Sequence, residues 1–93
     1  MRIHFIGIGG IGVSALAKYY LAKGNEVSGC DLVSSEITDQ LAQQGAHIRI
    51  GKPDIRCIPS HTAKLIFTPA ASPDHLERVA ARKQGIPEFS YPQ

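Results

Sequence analysis

The chain has 93 residues, of which 43% are hydrophobic. This length gives room for one compact domain and excludes a two-domain enzyme, so we expect the chain to be one part of a larger protein. The 10 basic and 8 acidic residues are dispersed, for a formal net charge of +2, which disfavours a nucleic-acid surface. Cys30 and Cys57 lack metal or disulfide spacing, and no apolar stretch is long enough to cross a bilayer. We therefore expect a cytoplasmic protein with reduced thiols, no bound metal, no nucleic-acid partner and no membrane partner.

The first half of the sequence alternates strand and helix patterns. The apolar run over residues 2–6 predicts a strand buried on both faces. Val13, Leu16 and Tyr20 recur at helical spacing and predict a helix over 11–23 that Gly24 ends. Three more elements follow in the same order: a strand over 26–30, a helix capped at 34–35 with Ile37 and Leu41 buried and ended by Gly45, and an edge strand over 46–50 with Ile48 and Ile50 on one side.

The second half continues the alternation after a loop broken by glycine and proline, in which we expect at most one helical turn. Residues 64–68 form the fourth predicted strand. Ser72 is the predicted cap of a helix with Pro73 at its first position, ended by Gly85, and residues 86–91 form the last predicted strand. Four residues at helical spacing set the phase of this predicted helix: Leu76, Val79, Ala80 and Lys83.

Strands that alternate with helices predict an α/β fold, a Rossmann-like parallel sheet of about five strands flanked by helices in three layers. The expected strand order is 3-2-1-4-5. In such a sheet the ligand crevice lies outside the carboxyl ends of the strands. Three segments are expected to meet there, at residues 7–12, 31–35 and 68–72.

The glycine turn at residues 7–12 is the strongest functional signal. Gly7 permits a sharp turn, Gly9 and Gly10 let the backbone approach a phosphate, and Gly12 lets the helix pack close to the strand. The amides at the helix start then face the ligand with partial positive charge. A tight turn without a ligand would need the same glycines, but this turn follows a strand, opens a helix and is trailed by Asp31, as a dinucleotide or nucleotide diphosphate site requires.

Two other segments offer polar groups and space at the same edge. Asp31 can accept hydrogen bonds from ribose hydroxyls, although it can equally be a helix-capping or solvated aspartate. The small residues at 68–72 can leave room for a sugar or diphosphate, or can simply connect strand to helix. The four histidines have no metal-ligand spacing and are expected to be ordinary strand, loop or helix residues: His4, His47, His61 and His75.

The chain also resembles the Mur ligases. The resemblance starts with the run over residues 3–12 followed by Ser-Ala-Leu-Ala at 14–17, and it continues in order through 27–31, 35–38, Gly45-Ala46, 80–82 and 85–87. It therefore covers nearly the whole chain. Three departures from the family pattern concern the uridine contacts more than the phosphate site: Lys52 after Gly51, Val13 where methionine is usual, and Thr68-Pro69 in place of a serine pair.

The resemblance implies that residues 1–93 are the N-terminal domain of such a ligase, which binds the UDP part of UDP-N-acetylmuramic acid. Carried over by position, the diphosphate and uridine would be held by Gly7, Gly9, Gly10, Ile11, Gly12, Asp31, Leu32, Thr68, Pro69 and Ala70. The parent enzyme would use ATP and Mg²⁺ to activate the muramoyl carboxylate as an acyl phosphate and would join it to L-alanine for peptidoglycan synthesis. The G-x-x-x-x-G-K-[ST] loop for ATP has no counterpart here, so we expect this chain to bind without catalysing, and its partners to be the central and C-terminal ligase domains.

Three other interpretations remain open at the level of sequence. A NAD-binding domain of a dehydrogenase shares the glycine turn and Asp31. A free-standing nucleotide sensor would share them as well. Within the family, a muropeptide-recycling ligase that joins a tripeptide instead of alanine is a further alternative.

Overall fold

The computed structural model describes residues 1–91 and contains five strands, three α-helices and one 3-10 turn. The elements run in this order: β1 Arg2–Ile6, α1 Ile11–Ala22, β2 Glu26–Asp31, α2 Glu36–Gln43, β3 His47–Ile50, the 3-10 turn Ile55–Cys57, β4 Thr62–Phe67, α3 Leu76–Lys83 and β5 Glu88–Ser90. Among these residues no helix combines the length and apolar character needed to cross a bilayer. The predicted domain ends at residue 93, and its last two residues lie outside the described range.

The strands form one parallel sheet in the order β3-β2-β1-β4-β5, which confirms the predicted topology. β1 is central and pairs with β2 on one side and β4 on the other, so that Ile6 lies between Cys30 and Phe67. β3 and β5 are the two edges. This arrangement brings the carboxyl ends of β1, β2 and β4 side by side at one edge of the sheet, where the chain leaves each strand for a loop.

Each face of the sheet has its own core. Helices α1 and α2 cover one face with an apolar cluster: Ile3, Phe5, Ile8, Val13, Ala17, Val27, Leu41, Ala46 and Ile66. The opposite face, which carries α3 and the 3-10 turn, has a second cluster: Ile6, Cys30, Ile58, Leu65, Ala71, Ala81 and Ile86. β1 is buried on both faces from Ile3 onwards and is apolar there except at His4.

The start and the phase of α3 differ from the prediction. The helix begins at Leu76, and its N-cap is His75, whose Nδ1 accepts from the Glu77 amide at 3.1 Å. Ser72 instead closes a turn through its carbonyl, which accepts from His75 N at 3.0 Å. The helix also buries Glu77 completely and leaves Leu76 57% exposed. The prediction of Ser72 as the cap was therefore wrong, and so was the helix phase set by Leu76. The buried hydrogen bond of the Glu77 carboxylate outweighs the apolar pattern.

Other boundaries move by a few residues. β4 begins at Thr62 rather than Lys64, and β5 is limited to Glu88–Ser90. α2 is capped by Ser35, whose side chain accepts from Thr38 N while the Thr38 hydroxyl accepts from Ser35 N. Gly24, Gly45 and Gly85 follow the three helices with positive φ, as predicted for helix ends.

Candidate functional site

A cavity of about 440 Å³ lies at the carboxyl ends of β1, β2 and β4. Its lining is Ile6, Gly7, Gly9, Gly10, Cys30, Asp31, Leu32, Gly51, Pro53, Thr68, Ala70, Ala71 and His75. The three segments predicted to meet at this edge therefore share one cavity. Of the residues named from the sequence, Ile11, Gly12 and Pro69 lie beside this lining rather than in it.

The glycine turn is held in place by backbone hydrogen bonds. The amides of Gly7 and Ile8 both donate to the Cys30 carbonyl, at 2.9 and 3.1 Å, and the Gly10 amide donates to the Gly7 carbonyl at 3.0 Å. Gly7 has φ +75°, and a Cβ there would lie 2.6 Å from the Thr68 methyl carbon. Glycine is thus required at position 7 by both backbone conformation and space.

The first amides of helix α1 have no carbonyl acceptor within the helix. Gly10 is the N-cap, and neither a side-chain cap nor an acidic residue in the first turn is present at this start. Because the first helical bond runs from Ser14 N to Gly10 O at 2.7 Å, the amides of residues 11–13 precede intrahelical pairing. Such a start, with its partial positive charge, favours an anion.

Gly12 and Ile11 flank this helix start in different ways. A Cβ on Gly12 would overlap the ring of Tyr91, so the glycine admits close packing of the chain after β5 against α1. Ile11 is 85% exposed and Leu32, across the cavity, is 68% exposed. Because both apolar side chains are exposed at the rim of the cavity, they can contact a ligand or another part of a protein.

Asp31 at the end of β2 is bonded to the glycine turn. Its Oδ2 accepts from the Gly9 amide at 2.8 Å, and its backbone carbonyl accepts from Gly51 N at 2.9 Å. A Cβ on Gly9 would meet both the Asp31 carboxylate, at 2.8 Å, and the Thr38 methyl carbon, at 3.1 Å. The carboxylate, the turn and the start of α2 therefore pack as one unit.

The opposite wall of the cavity follows β4. Thr68 N donates to the Ile6 carbonyl at 3.1 Å, and Ala71 N donates back to the Thr68 carbonyl at 2.9 Å, so residues 68–71 turn tightly beside the glycine segment. His75 closes this wall, and burial lowers the pKa of its imidazole. The wall is built from small side chains, which leaves the space between it and Asp31 open.

Behind the cavity lies a buried polar network that sequence analysis missed. His4 Nε2 donates to Glu77 Oε1 at 2.6 Å, and His4 Nδ1 lies 2.7 Å from the Ser28 hydroxyl. The second Glu77 oxygen accepts from Asp54 N at 3.2 Å. Burial opposes ionisation of Glu77, but the hydrogen bond and the charge of His4 outweigh it and lower the pKa of the carboxyl. The available signal was a histidine at a buried position of a central strand, which requires a polar partner.

The same network includes the thiol of Cys30. Burial first, and the Glu77 carboxylate second, raise the pKa of Cys30 far above its usual range, so this thiol stays protonated. The donor atoms of His4, Cys30 and Glu77 lie within 4.8 Å of one another. His4 and Glu77 are already paired by a hydrogen bond, and an imidazole and a thiol are poor ligands for Mg²⁺, which prefers oxygen.

Comparison with known proteins gives a consistent family match. Residues 2–93 match the family described as "Mur ligase family, catalytic domain". A UDP-N-acetylmuramate–L-alanine ligase of Porphyromonas gingivalis is 47% identical over 89 residues, which cover 90% of this chain and 19% of the relative. A ligase of the same name from Campylobacter curvus is 38% identical, with 96% and 20% covered. The chain thus spans about a fifth of the length of these relatives.

Solved structures agree with the sequence relatives. A UDP-N-acetylmuramate–alanine ligase from Thermotoga maritima superimposes with a TM-score of 0.89 at 36% identity, covering 97% of this chain and 20% of the other. A UDP-N-acetylmuramate:L-alanyl-γ-D-glutamyl-meso-diaminopimelate ligase from Neisseria meningitides gives 0.84 at 29% identity, with 99% and 29% covered. A putative NAD-dependent epimerase/dehydratase from Bacillus halodurans, at 0.59, 20% identity and coverage of 97% and 50%, shares the fold alone.

Proposed function

Because the chain belongs to the Mur ligase family, we propose that it binds the uridine diphosphate part of UDP-N-acetylmuramic acid. The observation that carries this proposal is the cavity of about 440 Å³ at the start of α1, where the glycine turn, Asp31 and Thr68 lie together. Both solved ligases compared above have UDP-N-acetylmuramate in their names. The proposal is therefore the same whether the parent protein joins alanine or a tripeptide.

The diphosphate would lie against the glycine turn and the first turn of α1. Gly9 and Gly10 line the cavity without side chains, and the amides of Ile11 and Gly12 belong to the helix start that favours an anion. Gly7 shapes the turn rather than donating to the ligand, because its amide is bonded to the Cys30 carbonyl.

The uridine would lie between the end of β2 and the wall after β4. Asp31 offers carboxylate oxygens to ribose hydroxyls, and Leu32 offers an exposed apolar side chain to the base. On the other side, Thr68 and Ala70 line the cavity, while Pro69 has no amide hydrogen to donate. We therefore assign Pro69 a steric role at this wall.

The reaction of a parent ligase would need groups beyond these. We propose that this cytoplasmic enzyme adds L-alanine in peptidoglycan precursor synthesis, with ATP and Mg²⁺ held by its central and C-terminal domains as the partners of this chain. Along residues 1–91 the cluster of metal-ligand types is the buried set His4, Cys30 and Glu77, which does not suit Mg²⁺.

Calorimetric titration of the 93-residue chain tests the proposal. UDP and UDP-N-acetylmuramic acid should bind, and NAD should bind at least about tenfold more weakly, since a uridine site and a nicotinamide site require different contacts. Gly9→Ala should weaken UDP binding about tenfold or more, because its methyl group would collide with Asp31 and Thr38.

The control variant is Ala15→Ser, which changes an exposed position on the same helix and should bind UDP like the unmodified chain. A preference for NAD or adenine nucleotides over UDP would refute the proposed ligand and favour the dehydrogenase or sensor interpretation.

A further inference from the structure

The Asp31 carboxylate accepts a hydrogen bond from the Gly9 amide, whereas the amides of Gly7, Ile8 and Gly10 donate to backbone carbonyls. Gly9 N donates to Asp31 Oδ2 at 2.8 Å, and the other carboxylate oxygen reaches the Val33 amide at 3.5 Å. The carboxylate is packed directly against the turn, because a Cβ on Gly9 would come within 2.8 Å of Oδ2. The Gly9 amide is thus paired with an anion that belongs to the chain itself.

The amides on either side of Gly9 have backbone acceptors instead. Ile8 N donates to the Cys30 carbonyl at 3.1 Å, and Gly10 N donates to the Gly7 carbonyl at 3.0 Å. Those bonds join backbone atoms and do not involve the Asp31 side chain, so the turn keeps them when the bond between Asp31 and Gly9 N is broken. A phosphate oxygen that takes the Gly9 amide must therefore displace Asp31, and the two groups carry like charges.

What happens to the displaced carboxylate depends on the ligand. An ionised carboxylate has acceptor sites alone and needs donors. The ribose of a nucleoside diphosphate brings two neutral hydroxyl donors that can reach the carboxylate, while bare pyrophosphate has no sugar and replaces Asp31 with its own negative charge alone. With a nucleoside diphosphate, the ribose hydroxyls therefore replace the hydrogen bond that Asp31 loses. With pyrophosphate, no sugar hydroxyl replaces it. Discrimination of this kind uses a repulsive group as well as an attractive one.

We propose that Asp31 is a specificity-determining residue: it competes with the ligand phosphate for the Gly9 amide and so selects nucleoside diphosphates over bare diphosphate. The inference rests on the proposed function, because it assumes that a phosphate reaches the glycine turn. Beyond the proposed function, Asp31 would weaken the binding of bare diphosphate as well as contribute to the binding of a nucleoside diphosphate.

The test is calorimetric titration of the 93-residue chain and its Asp31→Asn variant with UDP and with pyrophosphate. Asparagine keeps the size of the side chain and an acceptor for Gly9 N but removes the charge. Pyrophosphate should bind the variant about tenfold more tightly than the unmodified chain, since a like-charge contact is lost. UDP binding should stay the same or weaken, so the preference for UDP over pyrophosphate should fall at least about tenfold.

Two further variants make the outcome specific. Asp39→Asn on the exposed side of α2 changes the net charge equally and should leave both affinities unchanged. Asp31→Ser provides a second neutral side chain at the site and should raise pyrophosphate affinity as Asp31→Asn does, which covers the case in which one variant folds poorly.

The outcomes separate the two proposals. If the unmodified chain binds UDP and neither neutral variant binds pyrophosphate more tightly, the competition is refuted while the proposed ligand stands. If the unmodified chain binds neither UDP nor pyrophosphate, the proposed function fails, and this inference fails with it.

Discussion

The two faces of the sheet are stabilised in different ways. Against α1 and α2, the central strand places Phe5, which is fully buried among apolar side chains. Against α3, the same strand places His4, also fully buried, in contact with Ser28 and Glu77. Adjacent residues of one strand thus serve an apolar core and a polar network, so a strand buried on both faces need not be apolar on both.

Substitutions on the two faces should therefore lower the stability of the domain for different reasons. The apolar face loses stability in proportion to the side-chain volume removed. The polar face loses stability when one partner is left buried and unpaired, whatever its volume. The following variants test this difference, from the largest expected effect to the smallest.

Glu77→Ala should lower the free energy of unfolding by about 3–5 kcal/mol, because it leaves His4 buried without its carboxylate partner. This is a large part of the stability of a typical domain, about 5–15 kcal/mol. Urea unfolding followed by circular dichroism measures it. Glu36→Ala, at the exposed start of α2, is the control and should cost under about 1 kcal/mol.

A double replacement sharpens this result. His4→Leu combined with Glu77→Leu removes both partners and should be more stable than Glu77→Ala alone, since an apolar pair leaves no unpaired charge. If Glu77→Ala costs no more than Glu36→Ala, the network contributes little and the comparison of the two faces is wrong.

The acid response should also differ between the faces. The pKa of Glu77 is lowered from its ordinary value of 4.5, so its stabilising contribution is complete above that value and is lost as pH falls through the lower pKa of the folded state. Below about pH 5 the unmodified chain should therefore lose stability more steeply than Glu77→Gln.

Leu41→Ala on the apolar face is the matched comparison for pH. It should lower stability by about 2–5 kcal/mol and keep the acid slope of the unmodified chain, because Leu41 has no ionisable group. Asp54 and Glu88 also have lowered pKa values. Both are present in the unmodified chain, in Glu77→Gln and in Leu41→Ala, so they do not account for a difference between the acid slopes. Equal acid slopes for Glu77→Gln and the unmodified chain would contradict the contribution of ionised Glu77 to the stability of the polar face.

The smallest predicted effect is that of Ser28→Ala, about 1 kcal/mol for the loss of one buried hydrogen bond to His4. Ser72→Ala is the control, since Ser72 is exposed and its side chain does not cap α3, and should change stability by less than about 0.5 kcal/mol. A larger loss for Ser72→Ala than for Ser28→Ala would restore Ser72 as the cap and count against the network.

The apolar face and the glycine turn could be predicted from sequence because their signals are local. The run over 2–6, the spacing of Val13 and Leu16, and the glycines that end each helix give the elements and the strand order. Gly7 to Gly12 and Asp31 could be placed at one edge because parallel strands end together. The shared cavity follows from that topology.

The polar face could not be predicted in the same way because its partners are distant in sequence. His4 and Glu77 are 73 positions apart, and a glutamate in a helix pattern normally indicates the solvent side. Once Glu77 turns inward, Leu76 turns outward and His75 becomes the cap. The errors at Ser72 and Leu76 therefore have one cause, a long-range pair that local periodicity does not contain.

Amide NMR titration with UDP tests most directly whether the glycine-turn edge of the sheet binds a uridine diphosphate. A second cavity of about 350 Å³, lined by Arg2, Glu26 and His47, serves as the internal reference. UDP and UDP-N-acetylmuramic acid are predicted to shift the amides of Gly9 to Gly12 and of Asp31, leaving those three reference residues unchanged. Shifts concentrated at the second cavity, or shifts at the glycine turn with NAD but not with UDP, would contradict the account.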